Sequence, residues 1–254
     1  MAETALVTGA SSGIGLALAE LHAKKGGDLL LVARSGDTLE EIAGRLCTDH
    51  GIRVEVLAAD LGTPEGRDAT LAAAEAMGID LFMNNAGFGG TGDHIERDID
   101  DEVAMVELNV VAMMTLAHGI ARQMVARGGG RILNVGSTAG MMPGPGMAVY
   151  FATKAFVRSY SLALAEELRP KGVTVTVLAP GYVETNFAER ARMEGSRMTK
   201  SGGATAEDVA RVGYEAMMAG KLHVINQRSL SLALNWLVPL LPTRLVTGAM
   251  RRMT

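Results

Sequence analysis

Short apolar runs alternate along the chain with segments in which apolar residues recur every three or four positions. The apolar runs predict six strands and a weaker seventh, at 4–8, 28–33, 52–58, 80–83, 131–136, 173–179 and 222–226. The helical spacing predicts six helices, at 13–25, 37–49, 64–77, 100–126, 149–169 and 205–219. Several strands are apolar almost throughout, which is typical of strands that helices cover on both faces.

The repeated strand–helix–strand order predicts an α/β fold with right-handed crossovers between parallel strands. We expect a doubly wound, mostly parallel sheet of about seven strands with helices on both faces. Pro64, Pro170 and the glycine run 128–130 fall between predicted elements and do not mark a linker. Residues 1–254 are therefore predicted to form a single domain.

A glycine-rich segment, LVTGASSGIGLALAE, follows the first apolar run. A strand, a glycine turn and a helix N-terminus in this order form an anion site, because backbone N–H groups and the positive end of the helix dipole face the ligand. The glycines at 9, 13 and 15 would let a pyrophosphate approach the backbone. The alternative is a tight turn that binds no ligand.

Tyr150 and Lys154 are four residues apart in a predicted helix, and Ser137 ends the strand ILNVGS upstream. Residues at i and i+4 share one helix face, which would place the ammonium beside the phenol. A nearby positive charge favours phenolate and is expected to lower the pKa of Tyr150 towards the working pH. The pair is thus a candidate general acid and base.

The ordered set of motifs resembles the short-chain dehydrogenase/reductase family over essentially the whole chain. The motifs are TGASSGIG at 8–15, NNAG at 84–87, Asn109, Ser137, Tyr150 with Lys154, and PGYVET at 180–185. The resemblance implies a nicotinamide-dependent oxidoreductase that interconverts a carbonyl and a secondary alcohol. The rival hypothesis is a catalytically idle dinucleotide-binding protein that senses redox state or serves as a scaffold.

The resemblance also implies catalytic roles for four residues. Tyr150 would give its proton to the substrate oxygen during reduction, and Ser137 would hold that oxygen. Lys154 would lower the pKa of Tyr150 and bond the nicotinamide ribose. Asn109 would hold a water that links Lys154 to solvent, and a structural bond between helix and strand is a compatible second role.

The cofactor residues implied by the family follow five of the predicted strands or lie in the helix that contains Tyr150. They are Thr8, Gly9, Ser11, Ser12, Gly13, Ile14, Gly15, Arg34, Asp60, Leu61, Asn85, Ala86, Gly87, Tyr150, Lys154, Pro180, Gly181, Val183 and Thr185. Arg34 follows the second strand, where a dinucleotide fold reads the adenosine ribose, and a guanidinium there favours the 2′-phosphate of NADP(H) over NAD(H). The alternative is a solvated loop charge. The glycine loop itself holds Ser11 and Ser12 where many NADP-preferring relatives carry a second basic residue.

An apolar substrate pocket is predicted next to these residues. Phe88, Ser137, Met142, Met147 and Phe187 are its expected lining, and residues 186–203 are the expected substrate loop. Methionine adapts to irregular apolar shapes, which suits a hydrophobic carbonyl or alcohol. The alternative is composition bias, because the chain contains 16 methionines, several of them far from any predicted site.

Composition excludes several other functions. The formal charge is −4 and the isoelectric point is about 5.8, which argues against a nucleic-acid partner. The five histidines show no metal-ligand spacing, and the single Cys47 permits no internal disulfide. The N-terminus shows no signal peptide, and the longest apolar run, 230–241, is too short to span a bilayer. We therefore expect a cytoplasmic protein with no metal and no stable membrane insertion.

Two further features point to assembly. Residues 227–254 are leucine-rich, contain Trp236 and are expected to form a lid or a subunit contact, with a membrane-surface helix as a third possibility. The predicted helices 100–126 and 149–169 are expected to form a homodimer or a larger homo-oligomer. The contact candidates on them are Val103, Val106, Val110, Met114, Ala117, Phe156, Tyr160 and Leu164. The alternative is that these residues serve only the core.

Overall fold

The structure, a computed structural model, describes residues 3–185, 191 and 202–253 and contains one seven-stranded sheet. All pairings between its strands are parallel, in the order β3-β2-β1-β4-β5-β6-β7. The strands are β1 (Thr4–Thr8), β2 (Asp28–Ala33), β3 (Val54–Ala58), β4 (Leu81–Asn84), β5 (Gly130–Val135), β6 (Val173–Leu178) and β7 (His223–Val224). The predicted fold class is confirmed, although the weak seventh strand is only two residues long.

Helices connect successive strands and cover both faces of the sheet. They are α1 (Gly13–Ala23), α2 (Gly36–His50), α3 (Pro64–Met77), α4 (Ile99–Val106), α5 (Met113–Ala126), α6 (Ala148–Leu168), α7 (Ala206–Met218), α8 (Arg228–Leu232) and α9 (Thr243–Arg251). The α4 and α5 helices are joined through a π-helical turn, Glu107–Ala112. In the segment after Gln227, where the sequence offered a helix only as one possibility, a π-helical turn (Ala233–Leu237) and a 3-10 turn (Val238–Leu240) lie between α8 and α9.

The core lies in two layers because successive side chains of each strand point to opposite faces. In β1, Val7 is buried in one layer with Leu18 and Val209, whereas Leu6 is buried in the other with Phe82 and Ile120. The order in which the chain adds strands reverses between β1 and β4. The strands β2 and β3 lie on one side of β1, and β4 to β7 lie on the other. Ligands of such sheets bind beyond the carboxyl ends of the strands at this reversal.

The continuous helix from Ile99 to Ala126 is long and apolar enough to cross a membrane by length and composition alone, and 39% of its most apolar window is buried. Leu116, Ala117 and Ile120 of this helix are buried in a core layer against the sheet. Core helices commonly pass the same length test, so it is weak evidence for a membrane span.

The predicted contact face on this helix needs one correction. Val103, Val106 and Met114 are exposed as expected, but Ala117 is fully buried in the core. Ala117 packs in the core layer with Leu116 and Ile120. From Met114 onward the exposed positions recur every four residues, at Met114, His118 and Arg122.

Candidate active site

The predicted site residues follow the carboxyl ends of the strands and therefore meet at one edge of the sheet. Thr8 ends β1, Arg34 follows β2, Asp60 lies two residues beyond β3, and Asn85 follows β4. Ser137 and Pro180 lie two residues beyond β5 and β6. Parallel pairing brings these segments together although they are spread over more than 170 residues of sequence.

The glycine loop between β1 and α1 has little room for side chains. Gly9 and Gly13 have φ values of +66° and +57°, in the region that favours glycine. A Cβ on Gly15 would lie 2.2 Å from the carbonyl oxygen of Gly9 and 2.6 Å from the Asn85 side chain. The helix and the strand can therefore approach this closely only because residue 15 is glycine.

Thr8 and Asn85 fix the loop to the next strand. The Thr8 hydroxyl accepts hydrogen bonds from the backbone N–H groups of Asn85 (2.9 Å) and Ala86 (3.1 Å). The Asn85 side chain in turn donates to the carbonyl of Thr8 at 2.9 Å. Thr8 and Asn85 thus hold the backbone of the predicted cofactor site in one shape.

The first turn of α1 fits the phosphate group of a dinucleotide. The Ser12 side chain makes no capping bond within the described structure, and no acidic residue lies in the first turn. The N–H groups of that turn have no partner inside the helix and would serve an anion. Thr185 lies across the loop, because its Cγ2 would be 3.3 Å from a Cβ on Gly13. Thr185 therefore lies beside the glycine loop, and the cofactor contacts of Ser11, Ile14 and Thr185 stay predictions.

Arg34 is exposed directly after β2. The backbone on either side is anchored, because Gly9 donates to the Val32 carbonyl at 2.8 Å and Ala59 donates to the Ala33 carbonyl at 2.9 Å. Among the residues that the structure describes, the Arg34 guanidinium has no ion-pair or hydrogen-bond partner. Its five donors are thus available to a ligand at this edge.

Asp60 and Leu61 begin the turn after β3. The Asp60 carboxylate accepts from the Gly62 N–H at 2.9 Å, and its carbonyl accepts from the Thr63 N–H at 3.1 Å. Asp60 is exposed whereas Leu61 is buried. The carboxylate keeps further acceptor capacity, because one N–H group occupies only part of it.

Tyr150 is buried in the first turn of α6, and its hydroxyl group is hydrogen-bonded to Ser137. The Ser137 hydroxyl also accepts from the Ala139 N–H at 3.1 Å, which orients its side chain at the start of a tight turn. Ser137 and Tyr150 come from segments that follow one another in the chain but are held on different elements. Together they present two hydroxyl groups to one point, as the sequence predicts.

Lys154 lies one helical turn after Tyr150 and is also buried. Its ammonium donates to the carbonyl of Val135 at 3.1 Å and lies 5.9 Å from the centre of the Tyr150 ring. A Cβ on Gly87 would be 3.5 Å from the Lys154 nitrogen, so the NNAG turn passes directly over it. The predicted shared face of residues 150 and 154 is thus observed.

The predicted effect of Lys154 on Tyr150 is wrong for this structure. Burial raises the pKa of Tyr150 to about 12, and the bond with Ser137 only partly offsets this. Burial likewise lowers the pKa of Lys154 to about 8. Loss of solvation sets the direction of both shifts, because burial penalises the charged form of each group.

Asn109 lies in the π turn and is buried, with every bond made to neighbouring loops or helices. Its side-chain oxygen accepts from the Phe88 N–H at 3.0 Å, and its amide donates to the Phe88 carbonyl at 2.8 Å. The amide also approaches the Thr153 hydroxyl at 3.2 Å. The predicted structural role is therefore present: Asn109 joins the turn after β4 to α6, next to Lys154.

The segment after β6 closes the edge. The carbonyl of Pro180 accepts from the Thr138 N–H at 2.9 Å, and the Gly181 N–H donates to the Asn226 side chain at 3.1 Å. Val183 is buried and forms a bridge with Ala204. Residues 180–185, four of which the sequence predicts as cofactor residues, therefore run between the turn after Ser137 and the glycine loop.

The predicted substrate pocket is apolar as far as it is described. Met147 is buried, and Phe88 and Met142 are half-buried, in one cluster that contains Tyr150 and Phe151. Phe187, Met193 and Met198, and most of the predicted loop 186–203, lie outside the described residues. An open apolar groove of about 610 Å³ lies beside this cluster, lined by Met142, Phe151, Ala152, Ala155 and the turn 140–145. Met142 is the member of the predicted pocket that lines it.

The end of the chain reaches this cluster, within the segment 227–254 that the sequence predicts to be a lid or a subunit contact. Met250 of α9 is buried there, and the neighbouring Arg251 forms a bidentate ion pair with Asp93, with 2.8 Å between Nη2 and Oδ2. The pair lowers the pKa of the Asp93 carboxyl. Met105 and Tyr182 also join the cluster without having been predicted.

Metal ligation gains no support within the described ranges, where no three His, Cys, Asp or Glu side chains are grouped as ligands. Two of the histidines are accounted for by burial, which lowers the pKa values of His22 and His223. His22 is hydrogen-bonded to the hydroxyl group of Tyr214 at 2.9 Å, and Tyr214 belongs to the core layer that contains α1. The predicted absence of a metal stays a prediction.

Known proteins resemble the chain over nearly its whole length. A model of the short chain dehydrogenase family matches residues 3–195. A very-long-chain 3-oxoacyl-CoA reductase from Anas platyrhynchos is 30% identical over 254 residues, covering 98% of this chain and 78% of that protein. A short-chain dehydrogenase from Sphingobium yanoikuyae, solved in complex with NADPH, is 33% identical with a TM-score of 0.83, over 99% of this chain and 96% of its own. One from Burkholderia phymatum, in complex with NAD, is 26% identical with a TM-score of 0.84, over 92% of each chain.

Proposed function

The chain belongs to the short-chain dehydrogenase/reductase family, and we propose that it transfers a hydride between NADP(H) and the carbonyl or secondary alcohol of an apolar small molecule. The observation that carries this proposal is the meeting of Ser137, Tyr150 and Lys154 beside the glycine loop and the NNAG turn. A protein that only binds a dinucleotide needs the glycine loop but has no use for a buried proton donor next to it.

Tyr150 is the proposed proton donor to the substrate oxygen during reduction. Because its pKa is raised to about 12, the phenol keeps its proton throughout the neutral range. Ser137 shares that hydroxyl group by a hydrogen bond and is placed to stabilise the negative charge that develops on the substrate oxygen. In the reverse direction Tyr150 would take the proton back.

Lys154 is the proposed binding residue for the nicotinamide ribose. Its pKa of about 8 leaves it mostly charged at pH 7, and its ammonium is held by Val135 below Gly87. Asn109 holds the Phe88 backbone and Thr153 on either side of it. The bound nicotinamide would supply or accept the hydride, and the protein residues would position the cofactor and transfer the proton to the substrate oxygen.

Arg34 supports the choice of NADP(H). Its exposed guanidinium lies beyond β2 with no competing partner in the described part of the chain, and a planar fork pairs well with a 2′-phosphate. The Sphingobium neighbour was solved with NADPH and the Burkholderia neighbour with NAD, so the fold accommodates either dinucleotide. The preference proposed here rests on Arg34 alone.

An apolar substrate is supported by the side chains around Tyr150. Phe88, Met142 and Met147 belong to the apolar cluster that contains Tyr150. The Anas platyrhynchos relative is named for a long acyl substrate, which is compatible with such a cluster. We propose ketones with an extended hydrocarbon part as the substrate class.

Replacing Tyr150 with Phe tests the proposal. The change removes one oxygen, and turnover of NADPH with a panel of ketones should fall by about 10²- to 10⁴-fold, because the proton donor is lost. NADPH binding, measured by isothermal titration, should stay within a few-fold. Turnover that survives the change would remove Tyr150 from the mechanism, and a wild-type protein that binds NADPH but turns over no ketone would favour the idle sensor.

We also propose a cytoplasmic homo-oligomer assembled through α4, α5 and α6. Val103, Val106 and Met114 are exposed on one side of the first two helices, although large apolar side chains are usually covered. Val110, Phe156, Tyr160 and Leu164 are half-buried and serve the core as well. Light scattering at micromolar concentration tests the assembly, and a fully active monomer would contradict it.

A further inference from the structure

The last helix of the chain ends on the substrate side of Tyr150. Met250 in α9 is 8% exposed and belongs to the buried apolar cluster of Met147, Tyr150 and Phe151. Val246, one helical turn earlier, is also buried. One face of α9 is thus packed into the apolar cluster that contains Tyr150, whereas Leu245 on another face is 64% exposed.

An ion pair fixes α9 at this place. The Arg251 guanidinium meets the Asp93 carboxylate through two nearly parallel hydrogen bonds, with 2.8 Å between Nη2 and Oδ2. Glu96 adds a second negative charge close to Arg251. A two-bonded pair constrains orientation as well as distance, so it sets the angle at which Met250 enters the cluster.

Asp93 is presented by a loop that is itself held in place. Arg97 forms an ion pair with the buried Glu102 and donates to the Thr91 carbonyl at 3.0 Å. The Gly92 N–H donates to the Gly146 carbonyl at 2.9 Å, next to Met147. The loop that follows Phe88 is therefore a firm support, and the Asp93–Arg251 pair attaches α9 to it.

We propose that α9 forms a wall of the substrate site within its own subunit, with Met250 as a specificity-determining contact and Asp93 with Arg251 as the positioning pair. The inference rests on the proposed function and adds to it the element that limits substrate size. Met250 supplies a soft, adaptable surface for the hydrocarbon part of the ketone. The wall is made by a segment 158 residues away from its anchor in sequence.

The pair is partly exposed to solvent, with 53% of the Arg251 side chain and 41% of the Asp93 side chain accessible. Pairs of this kind are weak and are screened by salt. We therefore expect α9 to be positioned by the pair but not locked, so that loss of the pair loosens the wall without unfolding the protein.

Steady-state kinetics with ketones of increasing chain length test the role of Met250. Met250→Ala should shorten the wall and shift the ratio of kcat/KM for the longest over the shortest ketone by on the order of tenfold in favour of the longest. NADPH affinity should be unchanged, because the glycine loop is untouched. An equal change in kcat/KM for all ketones would overturn the proposed contact.

A charge-swap series tests the positioning pair. Asp93→Arg and Arg251→Asp should each raise KM for a long ketone by about two- to fivefold with little change in kcat, and the double variant should restore the wild-type KM. Arg252→Gln is the matched control, since this neighbouring arginine is exposed and unpaired among the described residues. Single variants with wild-type KM, or a double variant that is no better than either, would overturn the pair.

Failure of this inference can be told from failure of the proposed function. A wild-type protein that binds no NADPH and reduces no ketone would remove both. A wild-type protein that reduces ketones with NADPH, while the Met250 and Asp93 variants match it in KM and chain-length preference, would remove only the wall. Thermal unfolding of each variant within a few degrees of wild type excludes misfolding as the cause.

Discussion

The two halves of the site are built by different means. On the cofactor side, the shape is set mainly by the backbone: Gly9 and Gly13 take positive φ values, and Gly15 lies against the Gly9 carbonyl. The side chains of Thr8 and Asn85 hydrogen-bond to main-chain groups and join the two strand ends. On the substrate side, the shape is set by side chains, with Met147, Met250 and Phe151 packed around Tyr150.

The difference follows from what each half would bind. A dinucleotide has the same phosphates and riboses in every enzyme that uses it, so a rigid backbone site can be complementary to it. An added side-chain carbon at a glycine of this site would block the approach of the ligand. A substrate side made of methionines can change shape by one substitution while its supports stay in place. We therefore expect substitutions on the cofactor side to damage folding and binding together, and those on the substrate side to alter selectivity.

Gly15→Ala should have the largest effect on the cofactor side. The new methyl group would lie 2.2 Å from a backbone oxygen, so strand and helix must separate. We expect the free energy of unfolding to fall by about 3 kcal/mol, the upper end of the usual cost of overpacking. Chemical denaturation would measure it, and NADPH affinity should fall in parallel.

Gly44→Ala is the matched control for that substitution. Gly44 is exposed within α2, and in the described structure no heavy atom outside its own helix lies within 4 Å of a Cβ there. Alanine should raise the free energy of unfolding by about 0.4–1 kcal/mol, because the unfolded chain loses freedom. If the two alanine substitutions changed the free energy of unfolding equally, the close packing at Gly15 would have no special role.

Arg34→Asp should have the next largest effect. Losing the guanidinium and adding a negative charge should weaken NADPH binding by roughly tenfold to a hundredfold, with NADH binding unchanged or tighter. Isothermal titration measures both. Lys171→Asp makes the same change of charge at an exposed site at the opposite edge of the sheet and should leave both affinities alone. Equal NADPH and NADH affinities in the unchanged protein would contradict the assignment to NADP(H).

Titration of Lys154, which lies between the cofactor side and the substrate side, should have a smaller effect than Gly15→Ala or Arg34→Asp. Because its pKa is about 8, the charged form is lost above that pH, and kcat/KM for reduction should fall about tenfold by pH 9. Folding stability should move the other way between pH 8 and 10, since the unfolded chain, with an ordinary lysine pKa, binds more protons there. A pH profile run beside thermal unfolding separates the two, and a flat profile would exclude Lys154.

The strands and most helices could be predicted from sequence because their signals are local. The strand β2 is one continuous apolar run, DLLLVA at 28–33. In α3, apolar residues recur every three or four positions. The placement of Ser137, Tyr150 and Asn85 followed from knowing that parallel strands end at one edge. These parts depend on periodicity and topology, which the sequence displays directly.

Three features could not be predicted because they depend on distant partners or on burial. The contact of Arg251 with Asp93 joins residues 158 positions apart, and neither has a local pattern that indicates the other. The pKa of Tyr150 was expected to fall because Lys154 is near, but desolvation by surrounding side chains has the opposite sign and is larger. Ala117 was misplaced because its neighbours in the helix are apolar on several sides, and only the packing against the sheet decides which side is buried.

The strand order has a consequence for how the protein is maintained. The candidate site draws on six strand ends, from Thr8 to Pro180, so no fragment that lacks β6 contains it. A ligand that binds only the complete sheet stabilises it by mass action, by about 2.7 kcal/mol at a hundred times its dissociation constant. Distant pairings of this kind also form slowly during folding. The supply of dinucleotide would then set both how fast the enzyme works and how long each molecule survives proteolysis.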